Sequence, residues 1–227
     1  MRVRPITGLH RTAAHLIVAI VFAAPFGRDC LAGDFEFWNT TGACFDLDKD
    51  WRVRVDELLK LGKDAGELTY HHTDLGFVYQ GLADWVDLGL HYRQVFDKDD
   101  ELGWCRENRP HVNLTVKSRL ADIDISDRSR FEYRDKECDP DVWRYTNKLT
   151  VRLPHEFTKW KLRPYLADHV YINLEGQAFD GNKIYSGFSF QPSANTRGAL
   201  YYVWDTDKTD GKWTSTNILW VQLRFYF

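Results

Sequence analysis

Apolar and polar residues alternate with a period of two along most of this chain. The last segment is the clearest: Phe227, Phe225, Leu223, Val221 and Leu219 share one face, and Tyr226, Arg224, Gln222 and Trp220 share the other. Successive strand residues point to opposite sides, so this pattern marks a strand with one apolar and one polar face. The alternation recurs upstream. In 84–96, Val86, Leu88, Leu90, Tyr92 and Phe96 oppose Asp87, Gly89, His91 and Arg93. In 107–119, Val112, Leu114 and Val116 oppose Glu107, Arg109, His111, Asn113, Thr115, Lys117 and Arg119. In 122–134, Ile123, Ile125, Phe131 and Tyr133 oppose a face bearing Asp124, Arg128, Arg130, Glu132 and Arg134. In 143–153, Trp143, Tyr145, Leu149, Val151 and Leu153 oppose Arg144, Thr146, Lys148, Thr150 and Arg152. In 160–173, Leu162, Leu166, Val170 and Ile172 oppose Arg163, Tyr165 and His169.

These strands run to roughly 12–15 residues, against about 5–6 in globular sheets, and a tilted membrane strand needs about ten. Eleven strand starts follow from the pattern, near Phe35, Trp51, Leu68, Trp85, Arg106, Asp122, Val142, Trp160, Asn182, Gly198 and Thr214. Single-chain bacterial barrels have even strand numbers. The expectation is therefore ten or twelve strands, twelve favoured, with the error placed in residues 34–65, where alternation is poor. Short connections are expected near 81–83, 119–121, 154–158 and 191–195. Longer polar ones are expected at 97–104, 135–141, 175–181 and 205–213. Short turns at one rim and long loops at the other are the habit of outer-membrane barrels. Lipid offers backbone groups no hydrogen bonds, so the sheet must close. The predicted fold is all-β, a closed antiparallel up-and-down transmembrane barrel. The terminal Phe of an alternating strand resembles the signal read by the barrel-assembly machinery, which places Phe227, Phe225, Leu223, Val221 and Leu219 in an assembly role.

Composition adds a location. Aromatic residues make up 15% of the chain, with nine Trp, eleven Tyr, fourteen Phe and one Met, while the mean hydropathy is only −0.47. That combination fits a thin apolar band with aromatic girdles around a polar interior. Near the start, Arg2, Arg4 and Arg11 precede a short apolar run, Thr12 to Phe26, and the small-x-small exit Cys30-Leu31-Ala32. These are the parts of a secretory signal, and the run is too short to span a bilayer as a helix. Residues 1–32 are expected to be a cleaved signal peptide and 33–227 a single outer-membrane barrel domain of a Gram-negative bacterium. Cleavage would shift the formal charge from −3 to −6, which argues against a nucleic-acid partner. The expected partners are outer-membrane lipid and the assembly machinery, with the chain a monomer.

Several stretches carry a resemblance: Trp85-Val86-Asp87-Leu88-Gly89-Leu90-His91-Tyr92-Arg93, Glu107-Asn108-Arg109-Pro110, Asp127-Arg128-Ser129-Arg130-Phe131-Glu132-Tyr133-Arg134, Trp143-Arg144-Tyr145 and Arg163-Pro164-Tyr165. In this order they are similar to the bacterial family called domain of unknown function 2490, predicted outer-membrane β-barrels. The resemblance covers nearly all of 33–227. It implies fold and location, not an activity. The chain departs from the pattern at His169, where Glu is expected, and at Lys183, where Arg is expected.

The candidate chemistry is a lumen charge cluster of Glu107, Arg109, Arg128, Arg130, Glu132, Arg134, Arg144, Lys148, Arg152, Arg163 and His169. Opposite charges on adjacent strands pair, and the guanidinium fork suits carboxylates. One consequence is a structural ladder that stiffens a narrow barrel. Another is an anion-favouring lumen, since arginines outnumber carboxylates over 128–163. A competing class is a membrane-embedded hydrolase of lipid acyl esters. No histidine here has Ser two residues on, the spacing known in such enzymes. No cofactor and no metal site are expected, and His71-His72 reads as one histidine on each face of a strand. Cys105 and Cys138 lie near the outer ends of neighbouring strands and are expected to form a disulfide.

Overall fold

The computed structural model describes residues 34–154, 156–176, 178–209 and 211–227. The proposed signal peptide, with Cys30, lies outside them. Eleven strands are present among the described residues: β1 (Asp34–Asp46), β2 (Trp51–Gly62), β3 (Glu67–Ala83), β4 (Val86–Asp99), β5 (Gly103–Leu120), β6 (Ile123–Lys136), β7 (Val142–Arg152), β8 (Arg163–Asn173), β9 (Ala178–Ser193), β10 (Thr196–Thr209) and β11 (Lys212–Tyr226). Each pairs antiparallel with its sequence neighbour, and β1 closes the barrel by pairing parallel with β11.

The strand count departs from the ten or twelve expected. An up-and-down barrel of even number closes on an antiparallel pair, whereas an odd number forces the first and last strands to run the same way. Here they do, from Asp34↔Thr216 to Cys44↔Tyr226. Residues 34–65 hold two regular strands, although the pattern there is weak. The weakness arises because Trp38 and Leu58 are apolar yet face inward. A further consequence is that β1 begins at the rim opposite Phe227. The terminal residue completes the seam: its N–H donates to the Cys44 carbonyl (2.9 Å), its own carbonyl accepts from Asp46 N–H (3.2 Å), and its ring stacks on Phe45.

The connections also differ from expectation. At the Phe227 rim they are 47–50, 84–85, 121–122, 153–162 and 194–195, and at the far rim 63–66, 100–102, 137–141, 174–177 and 210–211. The longest, 153–162, lies at the rim where short turns were expected. The polar runs expected as long loops are in large part strand ends that extend past the apolar band, because lack of an apolar face does not stop backbone pairing, whereas most of 135–141 is a connection as expected. Ala121 and Asp122 both have positive φ (47° and 69°), the geometry of a tight two-residue hairpin turn that matches strand twist.

The exterior carries the apolar face. Leu75, Phe77, Leu88, Leu90, Val112, Leu114, Phe131 and Leu149 are exposed. Exposed aromatics bound them at both ends: Phe45, Trp51, Trp85, Trp160 and Phe227 toward one rim, and Trp104, Trp143, Phe179 and Trp213 toward the other. Outward carboxylates, Glu57, Asp127 and Asp168 among them, interrupt the face. Asp127 accepts from Asn147 Nδ2 at 2.7 Å and Asp168 from Asn182 Nδ2 at 2.5 Å, which lessens the cost of holding them beside apolar neighbours.

Candidate functional site

The inward residues of all eleven strands surround one cavity of about 550 Å³. Strand register assembles its charged side. Glu132 of β6 sits opposite His111 of β5 and Arg144 of β7 and is only 1% exposed. Arg144 donates to it at 2.5 Å, Arg130 lies 3.6 Å away and Arg109 4.0 Å away. Glu107 accepts from Arg109 at 2.6 Å and from both nitrogens of the Arg134 fork at 2.9 and 2.8 Å. Asp56 of β2 accepts two hydrogen bonds from Arg224 of β11 (3.1 and 2.8 Å) and also pairs with Arg54. Buried charges of this kind persist only when paired.

Asp74 of β3 lies within this network. Arg93 donates to it at 2.8 Å, and His91 Nδ1 lies 2.8 Å from its other oxygen. His111 Nε2 is 3.5 Å away and otherwise unpartnered. The His91 ring fits because residues 76 and 89 are glycines. A Cβ at Gly76 would overlap the ring, and one at Gly89 would come within 2.7 Å of Nε2. Asp74, His91 and His111 bring potential metal ligands within 4.8 Å of one another. Arg93 already occupies the carboxylate, and the two imidazoles lie nearly parallel, 15° apart at 4.8 Å. Their in-plane lone pairs run side by side rather than converging, so the set suits a hydrogen-bonded relay better than a cation.

The opposite side, β8 to β11 with β1, is aromatic. Tyr165, Tyr185, Tyr201, Trp38 and Trp220 pack together inside the barrel. Cations reach across to their rings: Lys148 Nζ lies 3.6 Å from the Tyr185 centroid, Arg152 5.3 Å from Tyr165, and Lys60 4.1 Å from Trp38.

The cluster named from the sequence lies inside the barrel as a contiguous set. Glu107, Arg109, Arg128, Arg130, Glu132, Arg134, Arg144, Lys148, Arg152 and His169 face the lumen. Arg163 bonds Asp124 and the Leu153 carbonyl near the Phe227 rim. His169 and Lys183, the two departures from the resemblance, are register partners on β8 and β9, and Lys183 pairs instead with Asp205. Arg54, Asp56, Asp74 and the tyrosine group were not singled out from sequence. A signal for Asp74 was present, since Tyr70, His72 and Asp74 alternate with His71, Thr73 and Leu75. His71 faces outward against Phe96 and His72 inward.

Cys105 and Cys138 form a disulfide with Cα atoms 5.8 Å apart, tying the start of β5 to the connection after β6. Beside it Asp141 accepts from the Tyr133 hydroxyl (2.7 Å) and from Lys136 N–H (3.0 Å), which holds its carboxyl below the usual range. Cys44 is a buried free thiol.

No curated protein and no solved structure matches the chain. The family described as Protein of unknown function (DUF2490) matches residues 35–216, nearly the whole barrel, and the chain belongs to it.

Proposed function

We propose that this chain is exported to the outer membrane of a Gram-negative bacterium and spans it as a narrow barrel with an anion-preferring lumen. The observation that carries this is the inversion of polarity. The outer wall is an apolar band with aromatic ends, broken by a few hydrogen-bonded polar groups, and the main charge network is enclosed. In water that arrangement would expose a very large apolar surface, whereas in lipid it is the stable one. The band meets acyl chains, the aromatics sit at the headgroup level, and Phe227 closes the seam after the assembly machinery has read the last strand. The ion pairs around Glu132 and Asp74 fill and stiffen one side of the lumen. What stays open is small and lined by more arginines than carboxylates, so passage is restricted to small solutes and favours anions.

The hydrolase alternative finds one constellation on the outer wall. His71, Glu57 and Thr73 lie together, but the Thr73 hydroxyl donates to Glu57 at 2.5 Å and His71 lies 3.7 Å from the same carboxylate. The hydroxyl–imidazole bond that activates a nucleophile is not formed, which favours the lumen as the working part.

Reconstitution into planar bilayers tests the proposal. Small conductance steps with a reversal potential shifted toward the anion are expected. A chain that stays monodisperse in detergent-free buffer, or one that is silent and releases fatty acid from membrane lipid, would overturn it.

A further inference from the structure

We infer that Arg128, Lys148 and Arg152 form a binding site inside the barrel for a phosphate-type oxyanion. The inference rests on the lumen of the proposed function but names a fixed site and a ligand class. Arg93, Arg109, Arg134, Arg144 and Arg224 each reach a carboxylate within 2.8 Å. Among the described residues no carboxylate lies within 4 Å of Arg128, Lys148 or Arg152.

These three come from adjacent strands, with Arg128 and Lys148 as register partners and Arg152 two pleat repeats along β7 from Lys148 on the same face. The charges that act most strongly on Lys148 are Arg128, Arg152, Arg130 and Arg54, all positive. Arg128 Nε is buried with no partner, and its terminal nitrogen meets only His169 Nε2 at 3.5 Å. Thr146 Oγ1, two residues from Lys148 on the inward face, is also buried without a partner. The tyrosine rings under Lys148 and Arg152 orient these cations without neutralising them.

These cations, enclosed beside a cavity with donors left vacant at Arg128 and Thr146, lack the counter-charge that the arginines around Glu132, Glu107, Asp74 and Asp56 have. A tetrahedral oxyanion of two negative charges supplies it. It accepts from the Arg128 fork, the ammonium and a hydroxyl at once, a geometry that guanidinium and phosphate share. Such a ligand is either free phosphate or the phosphomonoester head of a lipid.

The test uses the full barrel in detergent, titrated calorimetrically with inorganic phosphate and, separately, with a short-chain phosphatidic acid. Saturable binding in either arm is expected, at least tenfold weaker in Arg128→Gln and in Lys148→Met and largely retained in Lys148→Arg. Binding in the first arm identifies free phosphate as the source, and binding in the second alone identifies the lipid head. Heat-modifiable gel migration confirms that each variant is folded. Failure of the folded wild type to bind in both arms, or binding unchanged by either substitution, overturns the site. Neither result touches the membrane assignment, which the bilayer experiment decides independently.

Discussion

The two sides of the lumen solve the same problem in different ways. From β3 to β7 the barrel encloses both signs of charge: Glu132, Glu107 and Asp74 each lie among arginines, and each of those arginines reaches a carboxylate. From β8 through β11 to β1 the wall is largely tyrosine and tryptophan; Lys183 there pairs with Asp205, but Lys148 and Arg152, which lean on it from β7, find π faces rather than carboxylates. A guanidinium beside a carboxylate is compensated within the chain. A cation on a ring keeps its charge, and a ring contact contributes only about 0.5–2 kcal/mol. The paired side therefore serves rigidity, and the boundary between the two sides, at Arg128 and Lys148, is where an external anion is attracted.

The comparison breaks most visibly at Glu132. Glu132→Gln leaves Arg144, Arg130 and Arg109 without their shared counter-charge, and a loss of about 3–5 kcal/mol is expected, because removing one partner strands a buried charge. Urea unfolding in detergent measures it, and a loss under 1 kcal/mol would show that the paired side is not held together by these ion pairs. Next in size is the Cys105–Cys138 bridge at the far rim. Reduction or Cys105→Ser should cost about 2–4 kcal/mol, read by the same unfolding curve, while lumen-binding properties stay unchanged. Gly76→Ala should then cost about 1–3 kcal/mol by overpacking. It pushes the His91 ring off Asp74, visible as a change in the imidazole resonances. The smallest effect has the opposite sign. Lys148→Met removes a repelled cation and should leave stability unchanged or raise it by up to about 1 kcal/mol, whereas Arg109→Met destabilises. Equal losses from these two substitutions would erase the distinction between the sides.

Much of the fold was legible along the chain. Trp51 and Val142 begin strands where the alternation placed them, and the other starts fall within a few residues. The inward set from Glu107 to His169 followed from parity alone. The weak alternation at both ends of the barrel has one cause. Trp38, Leu58, Tyr185 and Tyr201 are apolar or aromatic side chains that face inward, so on β1, β2, β9 and β10 both faces look apolar and parity loses its contrast. The role of Asp74 depended on His91 and His111 arriving from other strands, and nothing local to residue 74 announces them.

By itself the sequence determined which face of most strands is greasy, roughly where they begin and that an extended sheet must close on itself. The first two follow from backbone pleating, which alternates side chains whatever the neighbours are, and closure follows from the cost of leaving strand edges unpaired. Only the tertiary structure decided that all eleven segments pair in one barrel, that the seam between β1 and β11 is therefore parallel, and which arginine meets which carboxylate. These depend on the stagger between strands and on the curvature of the whole barrel, quantities set jointly by every pairing and carried by no single segment.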